Sequence, residues 1–522
     1  MSLALCADVG STYTKVVVVD LDGGAVVAAA DHPTTAGSDV LHGLDAAAAA
    51  TGVTVPPSSW YVCSSAGGGL RLAVVGYESL VTAQAGHRVG LSAGARVVHV
   101  SAGPLGSLAP LRAALPDVVL LVGGTDGGDA AVLEHNARRL ARARWRVPVV
   151  LAGNASVRES LASVLSSAGV PVTATDNVLP RIGVLEPAPA RAAIRDVFLS
   201  HVIGGKGLSR GRRFPSLVRA ATPDAVLTGV EALADHTGGD LLVVDVGGAT
   251  TDVYSVLTPD GRTDDVAGTM WRSRTVEGDL GMRWSAPDVI RAAVAERLLD
   301  ATSAESAGAA AALTPRGAAG RLATATGPRP AAGEPGLPGG PSHRTAAGKP
   351  GAATAAGKPG AATAAGKPGA ATATGPRPAA ATRRPASELG LAALEAAAEA
   401  RAATPGFVPS DEAERAVDRR IAALAATVAV RRHARGPAGR AGRDLRDARM
   451  LVGSGGVLRH ATPGEAAEVL EAVLTDYAGG WAVPRAATAV VDVSYVLAAA
   501  GLLAADHPNA ARALLDRHLR GA

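Results

Sequence analysis

The chain has 522 residues, a formal net charge of +4, and 48% hydrophobic but only 3% aromatic residues, so any cores are built from Val, Leu and Ala. The length supports two or more domains. Ten basic residues and a single acid, Glu334, fall between Arg316 and Arg384. The basic balance therefore belongs to that segment, and a nucleic-acid-binding face on the rest is not expected.

No apolar run reaches the ~20 residues that span a bilayer, and no basic segment precedes a long apolar one at the start. No membrane association is expected, and the expected location is the cytoplasm. Cys6 and Cys63 fall in apolar strand-like segments and read as two buried thiols in a reducing compartment.

In chain order, Leu3–Ala7, Lys15–Asp20 and Ala25–Ala30 read as a three-strand meander, with Asp22-Gly23-Gly24 turning the last two. Asp8-Val9-Gly10-Ser11-Thr12-Tyr13-Thr14-Lys15 joins the first two strands. An acid ends the strand, Gly10 allows close backbone approach, and hydroxyls and an ammonium follow. Such a tip suits phosphate oxygens and a metal ion. Asp39–Thr51 reads as a helix, Trp60–Ser64 as a strand opening into Ser65-Ala66-Gly67-Gly68-Gly69, and Glu78–Gly90 as a helix.

Strands and helices then alternate. The strands are Arg96–Ser101, Val118–Val122, Val147–Ala152 and Pro171–Thr175; the helices are Leu108–Leu115, Ala130–Trp145 and Val157–Ser167. This rhythm predicts right-handed crossovers and a parallel sheet, with ligands at the carboxyl ends of its strands. Gly123–Asp129 and Gly153-Asn154 lie at such ends, where the glycines serve tight turns or a partner contact.

A second acidic hairpin follows: Leu241–Val244 runs into Asp245-Val246-Gly247-Gly248-Ala249-Thr250-Thr251-Asp252, and Tyr254–Leu257 returns. From about Ala301 to Ala386 the chain is low-complexity. Thr345, Thr354 and Thr363 each begin Thr-Ala-Ala-Gly-Lys-Pro-Gly-Ala-Ala, and almost no large apolar residue is present, so this insertion is expected to be disordered. Ser387–Thr404 and Asp411–His433 read as helices. Arg431, Arg432 and His433 suit a helix C-terminus. Met450–Val452 leads into Gly453-Ser454-Gly455-Gly456-Val457-Leu458. Glu465–Ala478, Ala489–Ala500 and Asn509–Leu519 complete the expected helices.

Two acidic hairpins far apart and a late glycine loop resemble the motif order of the actin, Hsp70 and sugar-kinase superfamily. The resemblance implies an α/β, two-lobed actin-like ATPase fold of duplicated ribonuclease-H-like cores, here with an inserted parallel α/β module and a long disordered insertion. The expected divisions are 1–92 for the first lobe, 93–200 for the module, 201–300 for the start of the second lobe, 301–386 for the insertion and 387–522 for the remainder. ATP and magnesium are the implied cofactors. Asp8 and Asp245 would hold the metal through water. Gly10, Ser11, Thr12, Gly247, Gly248, Ala249 and Thr250 would donate to phosphate, and Lys15 would reach an outer phosphate. Gly453, Gly455 and Gly456 would lie against the nucleoside, with Arg459 or His460 beside the base and Tyr495 facing it. Asp252 and Glu277 are the candidates for orienting an attacking water. Glu277 shares a Gly-bounded turn with Asp279, bracketed by Arg274 and Arg283, where a structural role is equally open.

Cys63-Ser64-Ser65-Ala66-Gly67-Gly68-Gly69, Gly123-Gly124-Thr125-Asp126-Gly127-Gly128, Asn177-Val178-Leu179-Pro180, the second hairpin, and Arg274-Thr275-Val276-Glu277-Gly278-Asp279-Leu280-Gly281-Met282-Arg283 together resemble the MutL or GlmL accessory proteins associated with glutamate mutase. These are distinct from the mismatch-repair protein of the same name. The resemblance covers roughly 1–300 and 405–522. It implies a slow magnesium-dependent ATPase acting as reactivating factor for subunits of an adenosylcobalamin-dependent mutase. Two other readings stay open. One is a small-molecule kinase of the same fold, although no clear carboxylate for a substrate hydroxyl is seen. The other is a nucleotide-gated scaffold without turnover.

Overall fold

The computed structural model describes residues 2–519 except Gly67, 79–80, 205–206, 259–271, 301–388 and 436–442. The expected insertion at 301–386 lies outside the described residues.

Strands β1 (Leu3–Val9), β2 (Tyr13–Asp20), β3 (Ala25–Pro33), β4 (Trp60–Ser64), β5 (Leu70–Gly76), β6 (Ala95–Ala102), β7 (Val118–Leu121), β8 (Val149–Leu151), β9 (Val172–Ala174), β10 (Val218–Ala221), β11 (Leu241–Val246), β12 (Thr251–Val256), β13 (Arg272–Glu277), β14 (Met450–Ser454) and β15 (Thr488–Val491) form three five-stranded sheets. The first runs β3-β2-β1-β4-β10 and the second β13-β12-β11-β14-β15. Each begins as an antiparallel meander and ends with two strands parallel to its first. The fold is thus one core used twice.

Alternation decides what each sheet buries, because successive side chains point to opposite faces. Ala4 and Cys6 of β1, Val17 and Val19 of β2, Leu241 and Val243 of β11, Tyr254 of β12 and Val452 of β14 enter a single core shared by both sheets. Tyr61 and Cys63 of β4, Ala220 of β10, Val256 of β12 and Val490 of β15 join them, and helices Thr222–Thr237, Val496–Leu503 and Pro508–Leu519 cover this core. The opposite faces, Leu5, Ala7 and Val9 on β1 and Leu242, Val244 and Val246 on β11, belong to separate outer cores. Cys6 and Cys63 are buried and unpaired, as expected.

The third sheet, β6-β5-β7-β8-β9, is parallel throughout. Its glycine turns are fixed from below by buried asparagines. Asn154 donates to the Gly128 carbonyl at 2.9 Å and Asn177 to that of Gly124 at 2.9 Å.

Three expectations change. The strand β5, not expected from the sequence, joins the parallel sheet, so that module starts near Leu70 rather than at 93. The strand β10 pairs with β4, which returns 218–221 to the first lobe rather than the second. A strand buried on both faces has no alternation to betray it, and a four-residue strand is defined by a distant partner. Ala489–Val491 belongs to β15, and the helix begins only at Val496, because β-branched Val490 and Val491 complete the second sheet beside β14.

Helices Thr222–Thr237 and Val496–Leu503 cross with their backbones in contact. A Cβ on Gly229 would run into the Leu497 carbonyl, and one on Gly501 into that of Ala225. Since neither backbone can retreat without moving a sheet, Gly501→Val should cost about 3 kcal/mol or more, read as a lowered urea midpoint. An unchanged midpoint would contradict this crossing.

Candidate functional site

The two hairpins have the same construction. The N–H of Gly10 donates to the Tyr13 carbonyl at 3.1 Å, and that of Gly247 to the Thr250 carbonyl at 2.9 Å. Asp8 lies directly opposite Lys15 in the first ladder, and Asp245 directly opposite Asp252 in the second. The tips meet: Thr12 Oγ1 is 3.2 Å from where a Cβ on Gly248 would stand.

Asp8, Lys15, Asp245 and Asp252 continue the inner faces of their strands, so all four crown the shared core. Asp8 accepts from Thr222 Oγ1 at 2.6 Å and lies 3.6 Å from Lys15 Nζ. The Lys15 ammonium sits 3.9 Å from the centre of the Tyr495 ring. Burial pulls its pKa down, but Tyr495, Asp8 and Asp245 outweigh burial and hold it above the ordinary value. Burial also pushes the Asp245 carboxyl up to about 6; Lys15 and a hydrogen bond with Ser454 oppose the rise, while Asp252 and Asp8 add to it. The two carboxylates and the ammonium therefore share one field.

The late glycine turn lies alongside, because β14 pairs with β11 and sets Ser454 beside Asp245. Gly455, at φ 110°, covers the Val246 carbonyl so closely that a Cβ there would collide with it. Gly453 packs against Leu458 and Leu470, and Gly456 faces open space. Arg459 binds Asp31 at 3.0 Å and approaches the Tyr495 ring at 4.7 Å. Tyr495 thus lies beside the hairpin lysine. His460 is exposed. The second tip is itself braced: Met282 N–H donates to Gly247, and those of Arg283 and Trp284 to Gly248, at 2.8–3.0 Å.

The two catalytic candidates part company. Asp252 stays with the cluster, where buried Arg274 binds its Oδ1 at 2.5 Å and the Thr250 hydroxyl donates to its Oδ2 at 3.1 Å. Glu277 pairs across the ladder with Thr251, so it points to the other face of the sheet. There Arg432, from helix Glu412–Ala434, binds Glu277 at 2.8 Å and Asp279 at 2.7 Å. The expected bracket by Arg274 and Arg283 is not formed; Arg274 holds Asp252 and Arg283 holds Asp418. His433 is fully buried between Ser255 and Thr275, and burial, with Arg443 nearby, keeps its pKa well below the usual range.

Sequence reasoning missed Thr222 altogether. Thr222-Pro223 opens a helix straight from β10, a start signal legible once the strand is known. Asp492, inside the helix expected over Ala489–Ala500, instead lies between β15 and the helix that begins at Val496. Asp492 is buried and accepts from the N–H groups of Val496 at 2.8 Å and Leu497 at 3.1 Å.

The donor set fits magnesium and a nucleotide. Among the described residues no three His, Cys, Asp or Glu side chains converge as a metal cage. Two facing carboxylates suit an ion that keeps most of its waters and takes the rest of its shell from phosphate. Among the described residues nothing accepts from the N–H of Ser11, Thr12, Gly248 or Ala249, so both tips offer donors.

Two equivalent sheets, an acidic hairpin on each, and a glycine turn beside the second define a protein of the two-lobed actin-like ATPase fold. The chain belongs to the MutL protein family, whose model matches residues 4–317 and 371–519. It is 38% identical over 304 residues to "Protein MutL" of Clostridium tetanomorphum, a match covering 55% of this chain and 65% of that relative. Among solved structures, component A of the (R)-2-hydroxyglutaryl-CoA dehydratase of Acidaminococcus fermentans shares 10% identity over 98% of this chain and 100% of that one, with a TM-score of 0.25. Nucleotide-free acetone carboxylase shares 15% identity over 54% of this chain and 48% of that one, with a TM-score of 0.30. At such scores the sheet order carries the fold and the likenesses do not. No helix among the described residues is long and apolar enough to cross a membrane.

With the Asp245 carboxyl held up to about 6, its ionised form burdens the folded protein above that pH, and the burden fades as pH falls toward the ordinary carboxylate range near 4. Asp245→Asn should therefore stabilise the ligand-free protein at pH 8 by on the order of 1–2 kcal/mol, and by less at pH 4.5. Urea midpoints of both proteins at the two pH values check this; a variant no more stable at pH 8 would refute the assignment of strain to Asp245.

Proposed function

We propose that this chain is an ATP-dependent accessory protein, acting as a reactivating factor for an adenosylcobalamin-dependent mutase such as glutamate mutase or an aminomutase. The reading draws on the family membership, and a single observation carries its nucleotide half: two equivalent acidic hairpins meeting tip to tip above one shared core.

In this reading Asp8 and Asp245 hold magnesium through water. The N–H groups of Ser11, Thr12, Gly248, Ala249 and Thr250 take phosphate oxygens, with Gly10 and Gly247 shaping the turns. Lys15 takes an outer phosphate, and Gly453, Gly455 and Gly456 border the nucleoside. The bound ion supplies charge neutralisation at the phosphates. Asp252 orients water while Arg274 keeps its carboxylate in place. Glu277 serves as an anchor for Arg432 rather than in the chemistry. The parallel module, braced by asparagines, is assigned contact with mutase subunits, and nucleotide-dependent motion of the lobes is what acts on them.

Release of labelled phosphate from ATP, measured with and without purified mutase, tests the activity. Stimulation by the mutase is expected. Transfer of label to a small acceptor would identify a kinase, and binding without release a scaffold. Asp245→Asn should weaken magnesium-dependent ATP binding at least tenfold, about 1.4 kcal/mol; an unchanged affinity by calorimetry would remove the site.

A further inference from the structure

Lys15 and Asp31 lie directly opposite one another on β2 and β3 of the first lobe. Tyr495 and Arg459 come from the second, Tyr495 just after β15 and Arg459 just after the glycine turn. The four close a ring. Lys15 rests 3.9 Å from the Tyr495 ring centre, Arg459 rests 4.7 Å from the same centre, and Arg459 binds Asp31 at 3.0 Å. Two cations thus share one aromatic ring, each held by a carboxylate of the first lobe: Asp8 for Lys15, Asp31 for Arg459.

The aromatic member is held under strain. Tyr495 has φ 54°, a left-handed conformation costly for a bulky side chain. Such a conformation persists only where the surroundings impose it. Here buried Asp492 imposes it by accepting from the N–H groups of Val496 and Leu497, which follow directly. The strain aims the ring at the first lobe.

We propose that Lys15, Tyr495, Arg459 and Asp31 form a clasp between the lobes, and that a phosphate group opens its inner half. The inference rests on the nucleotide reading given above. Phosphate offers the Lys15 ammonium charge-assisted hydrogen bonds that an aromatic face does not. A bound nucleotide draws Lys15 off the ring and leaves Asp31–Arg459 as the remaining latch. Nucleotide escape then requires the outer half to part. The inner half senses phosphate and the outer half times release.

Asp31 lies outside the phosphate-binding set, so its variants isolate the outer half. Asp31→Ala and Asp31→Asn should each speed dissociation of a fluorescent N-methylanthraniloyl-ADP from the full chain by roughly 2–5-fold, the range for a partly exposed ion pair. Asp31→Glu should keep release slow. In nucleotide-free protein the same two variants should raise amide hydrogen exchange at Gly10–Lys15 and Gly453–Arg459, which Asp31→Glu should not. Release and exchange unchanged in Asp31→Ala and Asp31→Asn would overturn the clasp. If the parent protein fails to bind the labelled nucleotide, the nucleotide reading falls, and the exchange measurement still decides whether the lobes are clasped.

Discussion

Side-chain alternation along a strand is the constraint from which the site follows. On each strand that reaches the cleft, the polar residue at the carboxyl end continues the series its apolar predecessors begin. Ala4 and Cys6 lead to Asp8, Leu241 and Val243 to Asp245, Val452 to Ser454, Ala220 to Thr222 and Val490 to Asp492. Lys15 and Asp252 precede their apolar series, Val17 and Val19 and Tyr254 and Val256, because their strands run the other way. Burying the inner faces of two sheets in one core therefore assembles the polar rim without further instruction. The same rule removes Glu277, whose parity faces helix Glu412–Ala434.

How near the sheets come is set by the helices between them. Where Thr222–Thr237 and Val496–Leu503 touch at Gly229 and Gly501, no side chain intervenes. Both helices also begin at the rim. Thr222 binds Asp8, and Asp492 and Tyr495 precede Val496. The pieces that hold the lobes together are thus the pieces that end in the cleft. The parallel module is fastened to the same element: buried Asp224, in the first turn of Thr222–Thr237, binds Arg195 at 2.5 Å and Arg191 at 3.4 Å on helix Pro187–Val197. Buried pairs of this kind add little net stability but hold a definite register.

Charge at the rim is crowded by design of the fold. Asp8, Asp245 and Asp492 all lie within the field of Lys15, and burial raises the carboxyls of Asp245 and Asp492. A protein selected for stability alone would not keep them there. Buried carboxylates crowded around one ammonium are the kind of perturbed group that gathers at functional sites.

By itself the sequence determined the acidic hairpins, the glycine turn, the strand–helix rhythm of the module and the family, because each is written in contiguous residues with a local physical meaning. Tertiary structure alone decided the rest. The strands β5 and β10 are recognised by their neighbours in space, Glu277 is excluded by the face it occupies, and Arg432, Thr222 and Asp31 acquire partners 155, 214 and 428 positions away. Pairings over such separations leave no periodicity in the chain; they exist only once two sheets share a core.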